Sequence, residues 1–276
     1  MRVYAFVNQK GGVGKTTSCA NIGAALVMAG RRVLLIDLDP QANLTTSLGI
    51  RLKPDQADIY DVLKSKGFRG EAKVSIKDIL INRTLDLNVS GGFHMHVAPA
   101  APLSLAKADI EFSQVTLRET LLKRILEPLE GEYDYILIDC SPSVGILTTN
   151  AMAAADQIII PVQSQYLSLE GMGQIIQVLE EIEPVNPDLS IGGIIVTMFD
   201  KRLIINREVR EILTDRFADF VFEKPIRTNI SVSEAPSSGM TIFEYAPSSH
   251  GSEDYLQVTQ ELLNREANYA KTEQAA

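Results

Sequence analysis

The chain alternates, almost from its first residue, between short apolar runs and longer stretches of helical period. Val3 to Val7 is a continuous apolar run, and Val33 to Ile36, Tyr135 to Ile138, Gln157 to Pro161 and Ile191 to Thr197 repeat the pattern. Short apolar runs bounded by turn signals suit strands covered on both faces, as in parallel sheets. Helical spacing marks Ser18 to Met28, Ile59 to Lys66, Leu103 to Phe112, Thr116 to Leu129, Leu147 to Ala154, Glu170 to Ile182, Arg207 to Phe217 and Glu253 to Asn268. Shorter helices are expected at Leu44 to Leu48 and Ile76 to Leu80, and further strands at Leu85 to Val89, His94 to Val97 and Phe220 to Lys224. Alternation of this kind predicts an α/β fold: a doubly wound, mainly parallel sheet with helices on both faces. No Pro/Gly/Ser-rich linker and no repeat divides the chain, so residues 1–265 read as one domain and 266–276 as a polar C-terminal tail.

The first strand runs into Lys10-Gly11-Gly12-Val13-Gly14-Lys15-Thr16-Thr17, and a helix follows at once. A strand, a glycine turn and a helix are what a phosphate-binding loop requires. The glycines let backbone N–H groups curl round an anion, and the helix N-terminus adds partial positive charge. In that reading Lys15 reaches the terminal phosphates and the Thr16 hydroxyl holds Mg²⁺. The common spacing G-x-x-x-x-G-K-[ST] has glycine where Gln9 stands, and a second lysine, Lys10, precedes the glycines. Two other strands end in carboxylates. Val33 to Ile36 leads into Asp37, Asp39 and Pro40, and Tyr135 to Ile138 leads into Asp139. Ligands of open α/β sheets sit at the carboxyl ends of strands, so these acids are expected to face the phosphates, Asp139 holding Mg²⁺ directly or through water.

Charge changes the picture only locally. With 26 basic and 35 acidic residues the formal net charge is −9, which argues against a generally sticky nucleic-acid binder. Lys201 to Arg216 departs from that balance, with Lys201, Arg202, Arg207, Arg210 and Arg216 against Glu208, Glu211 and Asp215. Arg207 and Arg210 share a helical face opposite Val209, Ile212 and Leu213, a face that plain solvation would also suit. The two cysteines, Cys19 and Cys140, lie beside motifs rather than in a paired spacing, so a reducing compartment is expected. No apolar run reaches the ~18 residues of a membrane span and no basic-then-apolar leader opens the chain, which fits a cytoplasmic protein. His94 and His96 project from one strand face with no further ligand near in sequence, and read as structural residues rather than a metal site.

The motif Lys10 to Thr17 resembles the deviant Walker A motif of the ParA/MinD superfamily. Asp37-Leu38-Asp39-Pro40-Gln41 resembles the ParA D-x-D-P-Q element, and Asp139 to Ser143 resembles its D-x-P-P switch loop, with Ser141 in place of the first proline. Ile59 to Leu63, Pro161-Val162-Gln163, Leu169-Glu170-Gly171, Val196 to Asp200 and Ser233-Glu234-Ala235-Pro236 stand where that family carries similar sequences. From Arg2 to about Leu263 the chain thus resembles the ParA/Soj partition ATPases.

That resemblance implies an ATPase that uses ATP and Mg²⁺, with Lys10, Lys15 and Asp39 as its catalytic residues. Gly11, Gly12, Val13, Gly14, Lys15, Thr16 and Thr17 would hold the phosphates, and Met198 and Asn229 lie in segments where the family meets adenine. Asp39 would orient the attacking water, while Thr16, Asp37 and Asp139 serve the metal. Two ATP-loaded copies would form a sandwich homodimer, each placing Lys10 in the other's site. The resemblance further implies nonspecific double-stranded DNA binding through Lys201, Arg202, Arg207, Arg210, Lys224 and Arg227. Arg202 matches an arginine the family uses on DNA, whereas Ser231 stands at a second such position. A ParB-like partner would stimulate hydrolysis, and the protein would be nucleoid-associated, moving a chromosome, plasmid or protein cargo. Among alternatives, a MinD-type membrane cycle needs a basic amphipathic C-terminal helix, which the polar Asn264 to Ala276 lacks. An iron–sulfur electron carrier needs cluster cysteines. A biosynthetic ligase of the same fold would be expected to add a substrate domain. A nucleotide-locked scaffold does not need Lys10, Lys15, Asp39 and Asp139 together.

Overall fold

Among the described residues, seven strands build one sheet. The computed structural model describes residues 1–68, 73–87, 94–165 and 168–275. In chain order the elements are β1 (Arg2–Phe6), α1 (Lys15–Met28), β2 (Val33–Leu38), α2 (Asn43–Ser47), α3 (Ile59–Gly67), α4 (Ile76–Ile79), β3 (Ile81–Thr84) and β4 (His94–Ala98). There follow α5 (Ala108–Glu111), α6 (Leu121–Leu126), β5 (Tyr135–Cys140), α7 (Ile146–Ala154), β6 (Gln157–Gln163), α8 (Ser168–Ile182), β7 (Ser190–Thr197), α9 (Ile204–Phe217), α10 (Ile230–Glu234), α11 (Ile242–Tyr245) and α12 (His250–Ala275). The strand order across the sheet is β3-β4-β2-β5-β1-β6-β7, and among the described residues all strand pairs are parallel except the edge pair β3–β4. The doubly wound α/β expectation holds.

Successive side chains of a strand point to opposite faces, and here both faces are apolar. Ala5, Ile36 and Ile138 enter one core with α3, α6, α7, α8 and α9, while Tyr4, Leu35 and Leu137 enter the other with α1, α11 and α12. β5 lies at the centre, with β2 on one side and β1 on the other. The carboxyl ends of β1, β2 and β5 meet at one edge of the sheet, and register sets Asp37 opposite Asp139 across the β2–β5 pair.

Three expectations are corrected. The strand placed at Leu85 to Val89 forms earlier, at Ile81–Thr84, antiparallel to β4. Pairing stops there because the Asp86 N–H donates to the Glu244 carboxylate instead of a strand. Asn88 and Val89 lie outside the described residues. The strand expected at Phe220 to Lys224 is reduced to a bridge between Val221 and Ile194. Glu223 leaves the ladder because its N–H donates to Glu261 and its carbonyl accepts from Arg210. Finally, the helices read over Leu103 to Phe112 and Thr116 to Leu129 break into 3₁₀ turns around α5 and α6, with Leu103 and Leu117 in the left-handed region. At the other end of the chain the helix runs on to Ala275, and the Tyr4 and Tyr135 hydroxyls both donate to its Glu266.

Candidate functional site

The loop after β1 is fastened on every side before any ligand enters. Asn8 donates to the Pro161 carbonyl at 2.7 Å, and its Oδ1 accepts from the Lys10 N–H at 2.9 Å. The Thr197 hydroxyl donates to the Val13 carbonyl at 2.8 Å. Gly12 and Gly14 take φ of +73° and +89°, a region that side chains with a Cβ resist, so these two positions require glycine. The Gly14 carbonyl then accepts from Ser18, and the first turn of α1 carries no acidic residue. Its N–H groups and partial positive charge are left for an anion.

Lys15 is the buried cation of this loop. Its Nζ donates to the carbonyls of Asn8 at 2.9 Å and Lys10 at 3.2 Å, which holds the ammonium at the loop's concave side. Burial pulls its pKa down, against the charges of Asp139 and Asp39. A desolvated cation with few protein counter-charges is prepared for an anionic ligand. A cavity of about 640 Å³ opens here, lined by Gly11, Gly12 and Gly14 to Thr17, and also by Met198 and by residues of the segment from Ser233 to Thr241.

The carboxylates divide their work. Asp139 is fully buried, and its Oδ2 accepts from the Thr16 hydroxyl at 2.7 Å while its Oδ1 has no partner among the described residues. Burial, then the charge of Asp37, pushes its pKa well up. A buried carboxylate oxygen without a donor calls for a cation or water, and a hydroxyl beside a carboxylate is a hard-oxygen pair of the kind Mg²⁺ takes. The fit is therefore good for Mg²⁺ held by Thr16 and Asp139. No group of three or more His, Cys, Asp or Glu among the described residues could hold a metal, and Mg²⁺ commonly completes its shell with water and phosphate oxygens. Asp37 differs. Its oxygens accept from the Asp39 N–H at 3.1 Å and from the N–H and hydroxyl of Thr45 at 2.8 and 2.7 Å. With both oxygens engaged, it fixes the turn rather than reaching toward the phosphates. Asp39 lines the cavity, steadied by Gln41 and Asn43 at 3.0 and 3.2 Å.

Burial pushes Asp37 up to about 6 despite its three hydrogen bonds. A raised folded-state pKa means that the folded protein keeps a proton the unfolded chain releases, so stability declines as pH rises from about 4 to 6. In nucleotide- and Mg²⁺-free buffer, the stability difference between wild type and Asp37→Asn is expected to fall by on the order of 3 kcal/mol across that interval. Urea denaturation at pH 4 and pH 7 measures it; a flat difference contradicts the assignment.

The remaining candidates fall in two places. Lys10 does not line the cavity: its Nζ donates to the exposed Gln165 side chain at 3.1 Å. Met198 lines it, with φ of +51°, whereas the Asn229 side chain caps α10 through the Val232 N–H. The basic residues gather elsewhere. Lys201, Arg202, Lys224 and Arg227 line a second cavity of about 610 Å³ with Asp200, Glu253 and Asp254, and Arg207 and Arg210 stand on α9 beside it. Arg202 is 83% exposed and paired with Asp200 at 2.6 Å. Arg227 is engaged by Asp254 and Glu253, and Arg210 donates to the Glu223 carbonyl while lying over the Phe199 ring. Sequence reasoning missed Asn8, Asn43 and Thr45, whose small polar side chains carry no motif of their own. Ser233 to Pro236 stands out in the sequence only by resemblance, and the fold brings Ser233, Ala235 and Pro236 to the cavity wall.

A family model described as an AAA domain matches residues 1–191. The sporulation initiation inhibitor protein Soj of Bacillus subtilis is 40% identical over 262 residues, covering 95% of this chain and 98% of Soj. The chromosome partitioning protein ParA of Caulobacter vibrioides is 39% identical over 269 residues, covering 96% and 95%. The chromosome-partitioning ATPase Soj of Treponema pallidum is 40% identical over 266 residues, covering 96% and 98%. Among solved structures, a cobyrinic acid a,c-diamide synthase from Mycobacterium smegmatis with bound ADP and magnesium superposes with a TM-score of 0.79 at 34% identity, covering 97% of this chain and 96% of that one. The septum site-determining protein MinD of Pyrococcus horikoshii, complexed with Mg-ADP, gives a TM-score of 0.72 at 25% identity, covering 95% of each chain.

Proposed function

We propose, on the premise that this chain belongs to the Soj/ParA family of partition ATPases, that it is an ATP-hydrolysing switch. Its loaded form pairs with a second copy and holds duplex DNA without regard to sequence, and a protein partner resets it by stimulating hydrolysis. The observation that carries the ATPase reading is one cavity lined by the glycine loop, buried Lys15, Thr16 and Asp39, with Asp139 buried behind it on the Thr16 hydroxyl.

Each residue has a task that its geometry permits. The loop N–H groups and Lys15 bind and orient the triphosphate. Thr16 and Asp139 would hold Mg²⁺, which when bound neutralises charge on the phosphate oxygens. Asp39, facing the cavity with its carboxylate fixed by Gln41 and Asn43, can orient a water and accept its proton. Lys10 is the cation each subunit extends to the other, since its ammonium stands outside its own cavity. The adenine end falls to Met198 and the 233–241 segment. The nucleotide state then controls pairing, and pairing controls turnover.

DNA contact is assigned to the exposed face carrying Lys201, Arg202, Arg207, Arg210 and Lys224. The test is a gel shift of nonspecific duplex at low salt, using Asp39→Ala to block hydrolysis. Retardation is expected with ATP and not with ADP. Arg202→Glu is expected to weaken the ATP-dependent shift about tenfold or more without loss of dimers, because it reverses a phosphate-facing charge. Equal mobility in ATP and ADP, with dimers formed, sinks the DNA assignment. The similarity to a synthase of almost the same length favours one second reading, carboxylate amidation. That reading requires ATP turnover dependent on a small carboxylic acid and a nitrogen donor, and indifferent to DNA and protein partner.

A further inference from the structure

Arg83 stands on the edge strand β3, outside the nucleotide cavity, yet it joins two of the cavity's walls. Its Nε donates to the Leu48 carbonyl at 2.9 Å, just past α2. Its Nη2 donates to the Gly239 carbonyl at 3.1 Å and to the Glu244 carboxylate at 2.9 and 3.2 Å. The side chains of Arg83 and Glu244 are 17% and 2% exposed, so this pair is largely withdrawn from solvent screening. Glu244 passes the constraint on, accepting from the N–H and hydroxyl of Thr241, both at 2.9 Å.

The two walls touch where Arg83 holds them. Gly49 and Gly239 both take positive φ, and a Cβ on Gly239 would lie 2.7 Å from the Gly49 Cα. One wall supplies Thr46 and Ser47 to the cavity, and the other supplies Ala235 to Ser237, Met240 and Thr241. The first wall also carries Asn43 and Thr45, which hold Asp39 and Asp37. A planar guanidinium can reach several acceptors at once in a fixed fork, which a lysine ammonium on a flexible stem cannot reproduce.

The geometry points to Arg83, braced by Glu244, as a positioning residue that fixes the span between these walls and so tunes affinity for the nucleoside portion of the ligand. Arg83 itself does not line the cavity. This rests on the nucleotide reading of the cavity. The phosphate loop has fastenings of its own, Asn8 to the Pro161 carbonyl and Thr197 to the Val13 carbonyl, so affinity for phosphate alone is expected to depend on Arg83 far less than affinity for the nucleoside does.

Arg83→Met keeps the apolar stem and removes the fork. It is expected to raise KM for ATP, and Kd for ADP, about tenfold, the effect of one charge-assisted hydrogen bond. Stimulated kcat at saturating ATP is expected to stay within about twofold, and competition by inorganic tripolyphosphate to stay unchanged. Arg83→Lys and Glu244→Gln are expected to fall between wild type and Arg83→Met, and carry the test if Arg83→Met does not fold. A folded variant with unchanged KM overturns the proposal. So does parallel weakening of ATP and tripolyphosphate, which marks a general loss of structure. Wild-type protein that binds neither ATP nor ADP overturns the nucleotide reading, and the proposal with it.

Discussion

Lys15→Met is expected to abolish ATP and ADP binding in the micromolar range, weakening both by a factor of about 10²–10³. The reasoning starts from where the ammonium is kept. Two backbone carbonyls, of Asn8 and Lys10, hold it at the concave side of the loop, and burial lowers its pKa. Removing a desolvated cation costs the folded protein little. The two lost hydrogen bonds are offset by the cost of burying the charge, so the stability change without ligand is expected to stay within about 1 kcal/mol. The triphosphate, by contrast, loses its nearest counter-charge in a site where screening by water is weak. Calorimetric titration with ADP and ATP measures the effect, beside urea denaturation as the control for folding. Binding retained within about threefold of wild type refutes the role given to Lys15.

Those features were legible in the sequence because the signals behind them are local. A strand, two glycines forced to positive φ and an immediate helix occupy residues 2 to 28, a pattern readable from adjacent residues although Pro161 and Thr197 later fasten the loop. Asp37 and Asp139 were equally plain, each terminating an apolar run at the edge where parallel sheets bind ligands. What failed to show were arrangements settled by remote side chains. Phe220 to Lys224 has the composition of a strand, but Glu261, on a helix 38 residues away, takes the Glu223 N–H from the ladder. Arg83 sits in a stretch with no motif, and its partner Glu244 lies 161 residues away. Asp37 ends an apolar run as a metal ligand would, but the fold brings Thr45 onto one of its oxygens with two donors. Arg227, which the resemblance offers as a DNA contact, has its guanidinium engaged by two acids of α12, a pairing that no local signal announces.

Lys10→Ala is expected to lower partner-stimulated ATP turnover by about 10³-fold or more, the scale of a cation supplied in trans to a transferring phosphoryl group. ADP affinity of the single subunit is expected to stay within about twofold, because Lys10 contributes only its backbone to its own loop. Its ammonium rests on Gln165, at the rim, and leaves its own phosphate cradle to Lys15. Loss of activity alone does not say which subunit the lysine serves, and a mixing experiment does. Asp39→Ala is expected to be inactive through loss of the carboxylate proposed to orient water, and Lys10→Ala through loss of the cation. If the lysine crosses to the partner's site, a mixed dimer contains one site with an intact Asp39 facing an intact Lys10. Random pairing of equal amounts then restores roughly a quarter of wild-type turnover from two inactive proteins. If the lysine serves its own site, both sites of the mixed dimer lack one group and no activity returns. Turnover of the mixture that stays at the level of either variant alone therefore rejects the shared-site mechanism, even where both variants dimerise and bind ATP normally.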